Sequence, residues 1–299
     1  MPDIALRFNR DMLVLSTPLD YQLESQGFTC EADRAYVSLC EPELIEEAFK
    51  LEKMLDTPCF VTATEGITHA RLAVANFEGQ AAEMARIAYE MCSRFRPQHL
   101  IAAIGPTGLP LDPSSAASLR QSKGQYQDAV KLLAAYPFDA ILFSGFANGD
   151  DAQCALMGAR AVYDGPLMIT LRPDDEGGLS CGRSLFDAAS LCVEYGADVV
   201  GVSSPAGAEE LVSLVAPLAA GLSVPLMVEI EIDRPEKRAS VWASDTGDNP
   251  YASPDALVDA AWALREAGVQ FLRAGGNASP AYTGALVATV MGHDVKVDL

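Results

Sequence analysis

Short apolar segments alternate with longer amphipathic segments along most of the chain. Eight of the short segments are apolar nearly throughout, and they lie at residues 12–16, 59–64, 100–105, 140–145, 167–171, 199–203, 226–230 and 271–275. Continuous apolar runs of this length are typical of parallel strands that are covered on both faces. The pattern therefore predicts eight buried parallel strands.

The segments between these strands carry the period of an α-helix. Residues 43–55, for example, place four apolar side chains on one stripe and charged side chains on the other faces. Similar patterns predict further helices at residues 79–94, 116–135, 150–163, 184–195, 208–220, 254–267 and 280–290. Gly196 and Gly268 stand where two of these helices give way to the next strand, as glycine often does.

Eight strand–helix units in 299 residues predict an α/β protein, a (β/α)8 TIM barrel that forms a single domain over residues 1–299. A doubly wound open sheet is the alternative, because periodicity does not distinguish a closed sheet from an open one. In a barrel, the side chains at the carboxyl ends of the strands form the active site. The residues that follow each predicted strand are therefore the candidates for chemistry.

Composition and charge narrow the classes of partner. The chain has 41 acidic and 21 basic residues, a formal net charge of −20, which argues against nucleic acid and anionic membranes as partners. No segment approaches the ~20 apolar residues of a membrane span, and the first residues do not resemble a signal peptide. The seven cysteines are odd in number and widely spaced, which indicates reduced thiols and a cytoplasmic location.

Six segments near the strand ends resemble, in order, segments of the homocysteine S-methyltransferase family. They lie at residues 39–45, 62–66 (Thr-Ala-Thr-Glu-Gly), 104–108 (Ile-Gly-Pro-Thr-Gly), 139–142, 182–185 and 267–280. The likeness is strongest to the homocysteine-binding domain of cobalamin-dependent methionine synthase, and it covers nearly the whole chain. The resemblance implies a TIM barrel, methyl transfer to a thiol, and a zinc ion that lowers the pKa of that thiol.

The positions that the resemblance assigns to zinc differ in this chain. The family holds the ion with one thiolate at the end of strand six and two at the end of strand eight. Here these positions are Ser204 and the pair Gly275 and Gly276. A hydroxyl is a poor zinc ligand and glycine offers no side chain, so we expect the family's zinc site to be lost and no metal to be bound.

The positions that hold the substrate differ as well. Ser144 stands where the family has the glutamate that binds the homocysteine amino group, and Asn148 stands where it has an aspartate. The sequence therefore predicts a rebuilt pocket and a different methyl donor or acceptor. Zinc-dependent methylation of homocysteine is not expected, and no cofactor is predicted to stay bound. A methyl-corrinoid or a folate is a candidate donor, and a corrinoid protein is a candidate partner beside a small-molecule substrate.

Polar residues at the strand ends form the candidate site. The candidate catalytic residues are Ser144, Asn148, Glu229, Glu231 and Arg273. The candidate substrate-binding residues are Ser16, Asp20, Thr62, Thr64, Glu65, Gly105, Ser204, Gly275, Gly276 and Asn277. Because both the metal ligands and the amino-acid ligands differ from the family's, a non-catalytic barrel that binds a ligand or a partner is the alternative function.

Several local interpretations stay open at this point. Four acidic residues either bind Mg²⁺ or Ca²⁺, which prefer hard oxygen ligands, or form ion pairs with neighbouring arginines. The acids are Glu65, Glu229, Glu231 and Asp233, and the arginines are Arg172, Arg234 and Arg273. Residues 275–277 form either an anion cradle or a tight turn, and His69 is either an acid–base group or a surface residue.

Overall fold

Eight parallel strands close into a barrel in the computed structural model, which describes residues 3–29, 31–232 and 250–292. The strands are β1 Leu13–Leu15, β2 Cys59–Val61, β3 His99–Ile104, β4 Ala140–Phe146, β5 Leu167–Leu171, β6 Val199–Ser204, β7 Leu226–Ile232 and β8 Val269–Gly276. They pair in chain order, and β8 closes on β1. The predicted TIM barrel is confirmed. An open sheet would have two edge strands that each lack a neighbour on one side, whereas β1 and β8 pair with each other here, so the open sheet is excluded.

Eleven α-helices lie within the described ranges. They are α1 Asp20–Ser25, α2 Glu31–Cys40, α3 Pro42–Met54, α4 His69–Val74, α5 Ala81–Arg94, α6 Ala116–Leu133, α7 Gly149–Arg160, α8 Leu185–Glu194, α9 Ala208–Gly221, α10 Ala256–Glu266 and α11 Pro280–Val290. Eight of them match the predicted helices, with ends that differ by a few residues. The helices α1, α2 and α4 are not among the predicted ones, and all three lie near the carboxyl ends of the strands.

The interior of the barrel is filled by every second side chain of the strands. Leu15, Ile101, Leu142 and Phe271 belong to this buried cluster, and each is fully buried. The 3-10 helix Ile4–Arg7 contributes Ile4 to the same cluster. Burial of one such side chain stabilises the fold by roughly 1.5–3 kcal/mol, so this closed core holds the strand ends in fixed positions.

Two aspartates fix the amino-terminal edges of neighbouring strands in the same way. Leu100 N–H of β3 donates to Asp139 Oδ2 at 2.7 Å, and Asp139 N–H donates to the Leu100 carbonyl at 2.8 Å. Leu167 N–H of β5 donates to Asp198 Oδ2 at 2.8 Å, and Asp198 N–H donates to the Leu167 carbonyl at 2.8 Å. These lower-rim aspartates precede β4 and β6 directly, so they fix strand register at the end of the barrel opposite the carboxyl ends.

In the part of the chain that the structure describes, no helix is both long and apolar enough to cross a bilayer.

Candidate functional site

A cavity of about 460 Å³ opens at the carboxyl ends of the strands, and we call it the mouth cavity. Its walls come from the strand ends and from α1, α2 and α4. Nine of the fifteen predicted site residues line it, namely Asp20, Glu65, Gly105, Ser144, Glu229, Glu231, Arg273, Gly276 and Asn277. The strand-end rule therefore located the cavity and much of its polar lining.

A buried ion pair between Arg273 and Glu229 lies in this cavity. β7 and β8 are in register at these two residues, so both side chains lie on the same face of the sheet. Arg273 is 1% exposed and Glu229 is 4% exposed. Arg273 Nη1 donates to Glu229 Oε1 at 3.2 Å, and Arg273 Nε donates to the Ser16 carbonyl at 2.9 Å.

The Glu229 carboxylate also receives hydrogen bonds from two other strands. Ser144 Oγ at the end of β4 donates to Glu229 Oε2 at 2.9 Å, and Thr170 Oγ1 of β5 donates to the same oxygen at 3.5 Å. Both carboxylate oxygens of Glu229 therefore have donors. Glu229 therefore holds the Arg273 guanidinium in place from β7.

Glu65 is the more accessible carboxylate beside the guanidinium. Its side chain is 31% exposed, and its Oε1 lies 3.6 Å from Arg273 Nη2. Gly105 N–H donates to the Glu65 carbonyl at 2.9 Å, so the loop after β3 holds this residue at the wall of the cavity. Within the described residues, the Glu65 carboxylate accepts no hydrogen bond, which leaves its lone pairs available to a ligand.

The second acid of β7 is paired as well. Arg172 Nη2 lies 2.6 Å from Glu231 Oε2, and Ser203 Oγ donates to Glu231 Oε1 at 2.7 Å. These contacts favour the ion-pair interpretation over a Mg²⁺ or Ca²⁺ site for Glu229 and Glu231. Across residues 3–29, 31–232 and 250–292, no group of three His, Cys, Asp or Glu side chains is placed to hold a metal ion. Asp233 and Arg234 lie outside the described residues.

Asn148 caps a helix instead of lining the cavity. It is the N-cap of α7, where its Oδ1 accepts the backbone N–H groups of Asp150 at 2.8 Å and Asp151 at 3.3 Å. An asparagine in this position satisfies amide groups that have no partner inside the helix. This contact gives the residue a structural role.

Three further residues that were predicted to bind the substrate are buried, and their hydroxyl groups form contacts between strands. The hydroxyl groups of Thr62 and Thr64 lie 2.7 Å apart, and Thr64 Oγ1 donates to the Ala103 carbonyl at 2.8 Å. Ser16 Oγ accepts the Val61 N–H at 2.9 Å. Ser16 contributes to the site through its backbone carbonyl, which accepts from Arg273, and the two threonines tie the ends of β2 and β3 together.

The end of β8 forms a tight turn. Asn277 N–H donates to the Ile232 carbonyl at 2.9 Å, so this amide is not available to an anion. Gly276 has a φ of +59° and lies in the left-handed region that glycine tolerates. The side-chain oxygen of Asn277 is buried and has no hydrogen-bond partner among the described residues. The turn interpretation of residues 275–277 is therefore favoured, and Asn277 offers one acceptor to a ligand.

Gly275 has no room for a side chain. A Cβ atom at this position would lie 2.6 Å from Glu229 Cγ and 2.8 Å from Glu229 Oε1. Ser204, at the end of β6, is buried, and its hydroxyl accepts the Ala206 N–H at 3.2 Å. The space in front of Gly275 at the end of β8 is thus occupied by the Glu229 side chain.

The structure adds lining residues that sequence reasoning missed. Glu24 of α1, Arg34 of α2 and Arg71 of α4 all line the mouth cavity. Arg34 forms an ion pair with Asp20, and Arg71 Nε donates to the Pro106 carbonyl at 2.8 Å. The sequence held one indication of α1 and α2. The segment between the first strand and the first predicted helix is long enough to contain two further helices.

A buried network supports the loop after β3. Thr107 N–H donates to the Tyr126 hydroxyl at 3.0 Å, and that hydroxyl donates to Asp151 Oδ2 at 2.8 Å. Ser122 Oγ donates to Asp151 Oδ1 at 2.8 Å. Burial raises the pKa of Asp151 and the pKa of Tyr126 above their ordinary values. The loop that carries Gly105 is thereby anchored to α6 and α7.

His69 lies apart from the site. It is exposed at the first residue of α4 and does not line the mouth cavity. The surface interpretation of this histidine is therefore favoured over a role in acid–base chemistry.

These features define a (β/α)8 barrel with a charged, ligand-sized pocket at the carboxyl ends of its strands. The family model for homocysteine S-methyltransferase matches residues 15–281. The chain belongs to the homocysteine S-methyltransferase family. The resemblance found in the sequence is therefore confirmed at the level of family and fold.

Solved structures support the same fold. The metallated form of the homocysteine methyltransferase MmuM from Escherichia coli superposes with a TM-score of 0.76 at 18% identity, over 94% of this chain and 96% of that one. The carboxyl transferase domain of Rhizobium etli pyruvate carboxylase gives a TM-score of 0.59 at 13% identity, over 97% of this chain and 45% of that one. No curated protein matches the sequence.

At the positions that the sequence resemblance assigns to zinc, the donors of this chain do not fit that metal. Ser204 offers a hydroxyl, and Gly275 and Gly276 offer no side chain. Among the described cysteines, none lines the mouth cavity. No described thiol or imidazole lines the cavity, and a hydroxyl is a poor zinc ligand, so these positions offer no ligand set of the family's kind.

Proposed function

We propose that this chain is a methyltransferase that works without a thiolate-bound zinc ion and acts on a methyl donor or acceptor other than the family's homocysteine pair. One observation carries the proposal: Glu65, Glu229 and Arg273 converge in a ligand-sized cavity at the active-site end of a family barrel, where thiolates would otherwise be expected. MmuM is a homocysteine methyltransferase. We propose that this chain has the same reaction class, methyl transfer, but a different substrate.

The residues of the mouth cavity suit proton transfer coupled to methyl transfer. Glu65 accepts the proton of the acceptor's nucleophilic atom, because its carboxylate has free lone pairs and lies at the cavity wall. The nucleophilic atom then forms a bond to the methyl carbon, while the bond between that carbon and the donor breaks and its electron pair stays with the donor. Arg273, held by Glu229, stabilises negative charge as it develops beside Glu65.

The methyl donor is proposed to be a methyl-corrinoid or a folate. A corrinoid protein that docks over the strand ends is the proposed partner, with a small molecule as the acceptor. We also propose a cytoplasmic location, because the six described cysteines are all free thiols.

The experiment combines metal analysis with ligand screening. Purified protein is analysed for zinc and then screened by thermal shift against thiols, folates and corrinoids, since a ligand at 100 times its Kd stabilises the folded state by about 2.7 kcal/mol. We expect substoichiometric zinc, stabilisation by one ligand class, and methyl transfer in which that ligand takes part.

Two variants make the screen specific. Glu65→Gln should abolish methyl transfer while the ligand-induced shift persists. Glu90→Gln is the matched control, because Glu90 is an exposed acid on α5 that pairs with Arg86 and does not line the cavity. One zinc ion per purified chain, or zinc-dependent methylation of homocysteine by the native protein, would contradict the proposal.

A non-catalytic ligand-binding barrel is the second candidate. It is favoured by the internal pairing of the two β7 acids, Glu229 with Arg273 and Glu231 with Arg172, which leaves fewer free reactive groups. This candidate predicts a ligand-induced shift with no transfer from any donor, and Glu65→Gln would then change affinity alone.

A further inference from the structure

We infer that the ion pair between Glu229 and Arg273 occupies the place that the zinc ion has in the family, and that the Arg273 guanidinium supplies a fixed positive charge at that place. The inference rests on the proposed zinc-free function and goes further, because it names the group that takes over from the metal and states that the two exclude each other.

The Glu229 side chain excludes a side chain at position 275 by steric contact. The family's strand-eight ligands correspond to Gly275 and Gly276, and the Glu229 side chain fills the space in front of Gly275. A Cβ atom there would lie 2.6 Å from Glu229 Cγ, whereas carbon atoms in contact are usually about 3.5–4.0 Å apart. A cysteine at position 275 and the present Glu229 rotamer therefore cannot coexist.

The cluster around Arg273 has the same formal net charge as the family's zinc site. A divalent cation with three thiolates carries one net negative charge. One guanidinium with two carboxylates, Arg273 with Glu229 and Glu65, also carries one net negative charge. The exchange therefore preserves the charge of the site while it replaces a soft, dissociable cation with a covalently attached one.

Both members of the buried pair have further hydrogen-bond partners where they lie. A buried charge is costly unless its partners and hydrogen bonds are complete. Arg273 donates to Ser16 and Glu229, and Glu229 accepts from Ser144 and Thr170. Four strands besides β8 thus supply partners, so the pair belongs to the architecture of the mouth.

The experiment asks whether zinc ligands and the ion pair compete. Three proteins are prepared under reducing conditions: the native chain, the triple variant S204C/G275C/G276C, and the same triple variant with E229A/R273A added. Each is loaded with ZnSO4, passed over a desalting column and analysed for retained zinc. We expect no retained zinc in the native chain or the triple variant, and one equivalent in the variant that lacks the pair.

A matched control removes a different ion pair. Adding R172A/E231A to the triple variant deletes the pair between β5 and β7 and leaves Glu229 and Arg273 in place, so zinc should still be lost on the column. Because a cysteine at Gly276 is strained at φ +59°, the comparison is repeated with S204C/G275C alone, with and without E229A/R273A. Circular dichroism and thermal melting establish that each variant is folded.

Two outcomes would overturn the inference. One is a folded triple variant that retains one equivalent of zinc with Glu229 and Arg273 intact. The other is a folded variant without the pair that retains none in either cysteine background. Zinc in the native chain would instead contradict the proposed function, so the two failures are distinguishable.

Discussion

Removal of the Arg273 guanidinium should destabilise the fold severely. In Arg273→Met, a side chain of similar length keeps the packing but leaves the Glu229 carboxylate, 4% exposed, without its countercharge. Loss of one partner of a buried ion pair costs about 3–5 kcal/mol. At about 2 °C per kcal/mol for a chain of this size, the thermal midpoint should fall by roughly 6–10 °C.

The assay is a double-mutant cycle followed by thermal and urea denaturation. Arg273→Met combined with Glu229→Leu removes both charges, and apolar replacement of a whole buried pair is often neutral. The double variant should therefore recover much of the loss, which gives a coupling free energy of at least about 1 kcal/mol.

Arg172→Met is the matched control for this cycle. Arg172 also pairs with a glutamate of β7, but its side chain is 53% exposed. An exposed pair contributes about 0.2–1 kcal/mol. Equal losses for Arg273→Met and Arg172→Met, or additive effects in the double variant, would refute the reasoning that the buried pair organises the mouth of the barrel.

Two other substitutions test the structural roles of polar residues. Asn148→Ala should lower stability by about 1 kcal/mol through loss of the α7 cap, with little effect on ligand-induced thermal shifts; a lost ligand response at unchanged stability would contradict the cap assignment. Glu52 is buried, and burial raises its pKa, so the folded chain retains a proton that the unfolded chain releases above pH ~4.3. The contribution of Glu52 to the free energy of unfolding therefore declines as the pH rises from that value. In urea denaturation, the difference in unfolding free energy between the native chain and Glu52→Gln should become less favourable to the native chain as the pH rises. Parallel pH profiles of the two proteins would exclude this effect.

The scaffold was predictable from the sequence because it follows from periodicity. All eight strands appear in the sequence as continuous apolar runs, because a parallel barrel buries both faces of its strands. Eight of the helices in the described residues appear as amphipathic segments. The helices α1 and α4 were not predicted because they have only six residues each, too few to display a period. The ten-residue helix α2 was missed as well, although its residues have an amphipathic pattern.

The sequence indicates which residues lie at the strand ends, but it does not indicate which of their side chains contact one another. The strand-end rule named Glu229 and Arg273, yet their contact depends on the register of β7 and β8, which includes an irregularity between Leu226 and Met227 that no local pattern reveals. Asn148 shows the converse limit. It follows a strand closely, but the Gly-Asp-Asp sequence after it begins a helix, and asparagine is a preferred cap there.

The lower-rim aspartates make the scaffold tolerant of change at its working end. Asp139 and Asp198 fix neighbouring strands through backbone amides at the edge farthest from the cavity, with no contribution from Glu229, Arg273 or Gly275. Substitutions at the mouth can therefore lower stability without removing the contacts that align the strands at the lower rim. Because loss of Arg273 alone is costly, a barrel of this kind changes its mouth most readily when both partners of the buried pair are replaced together.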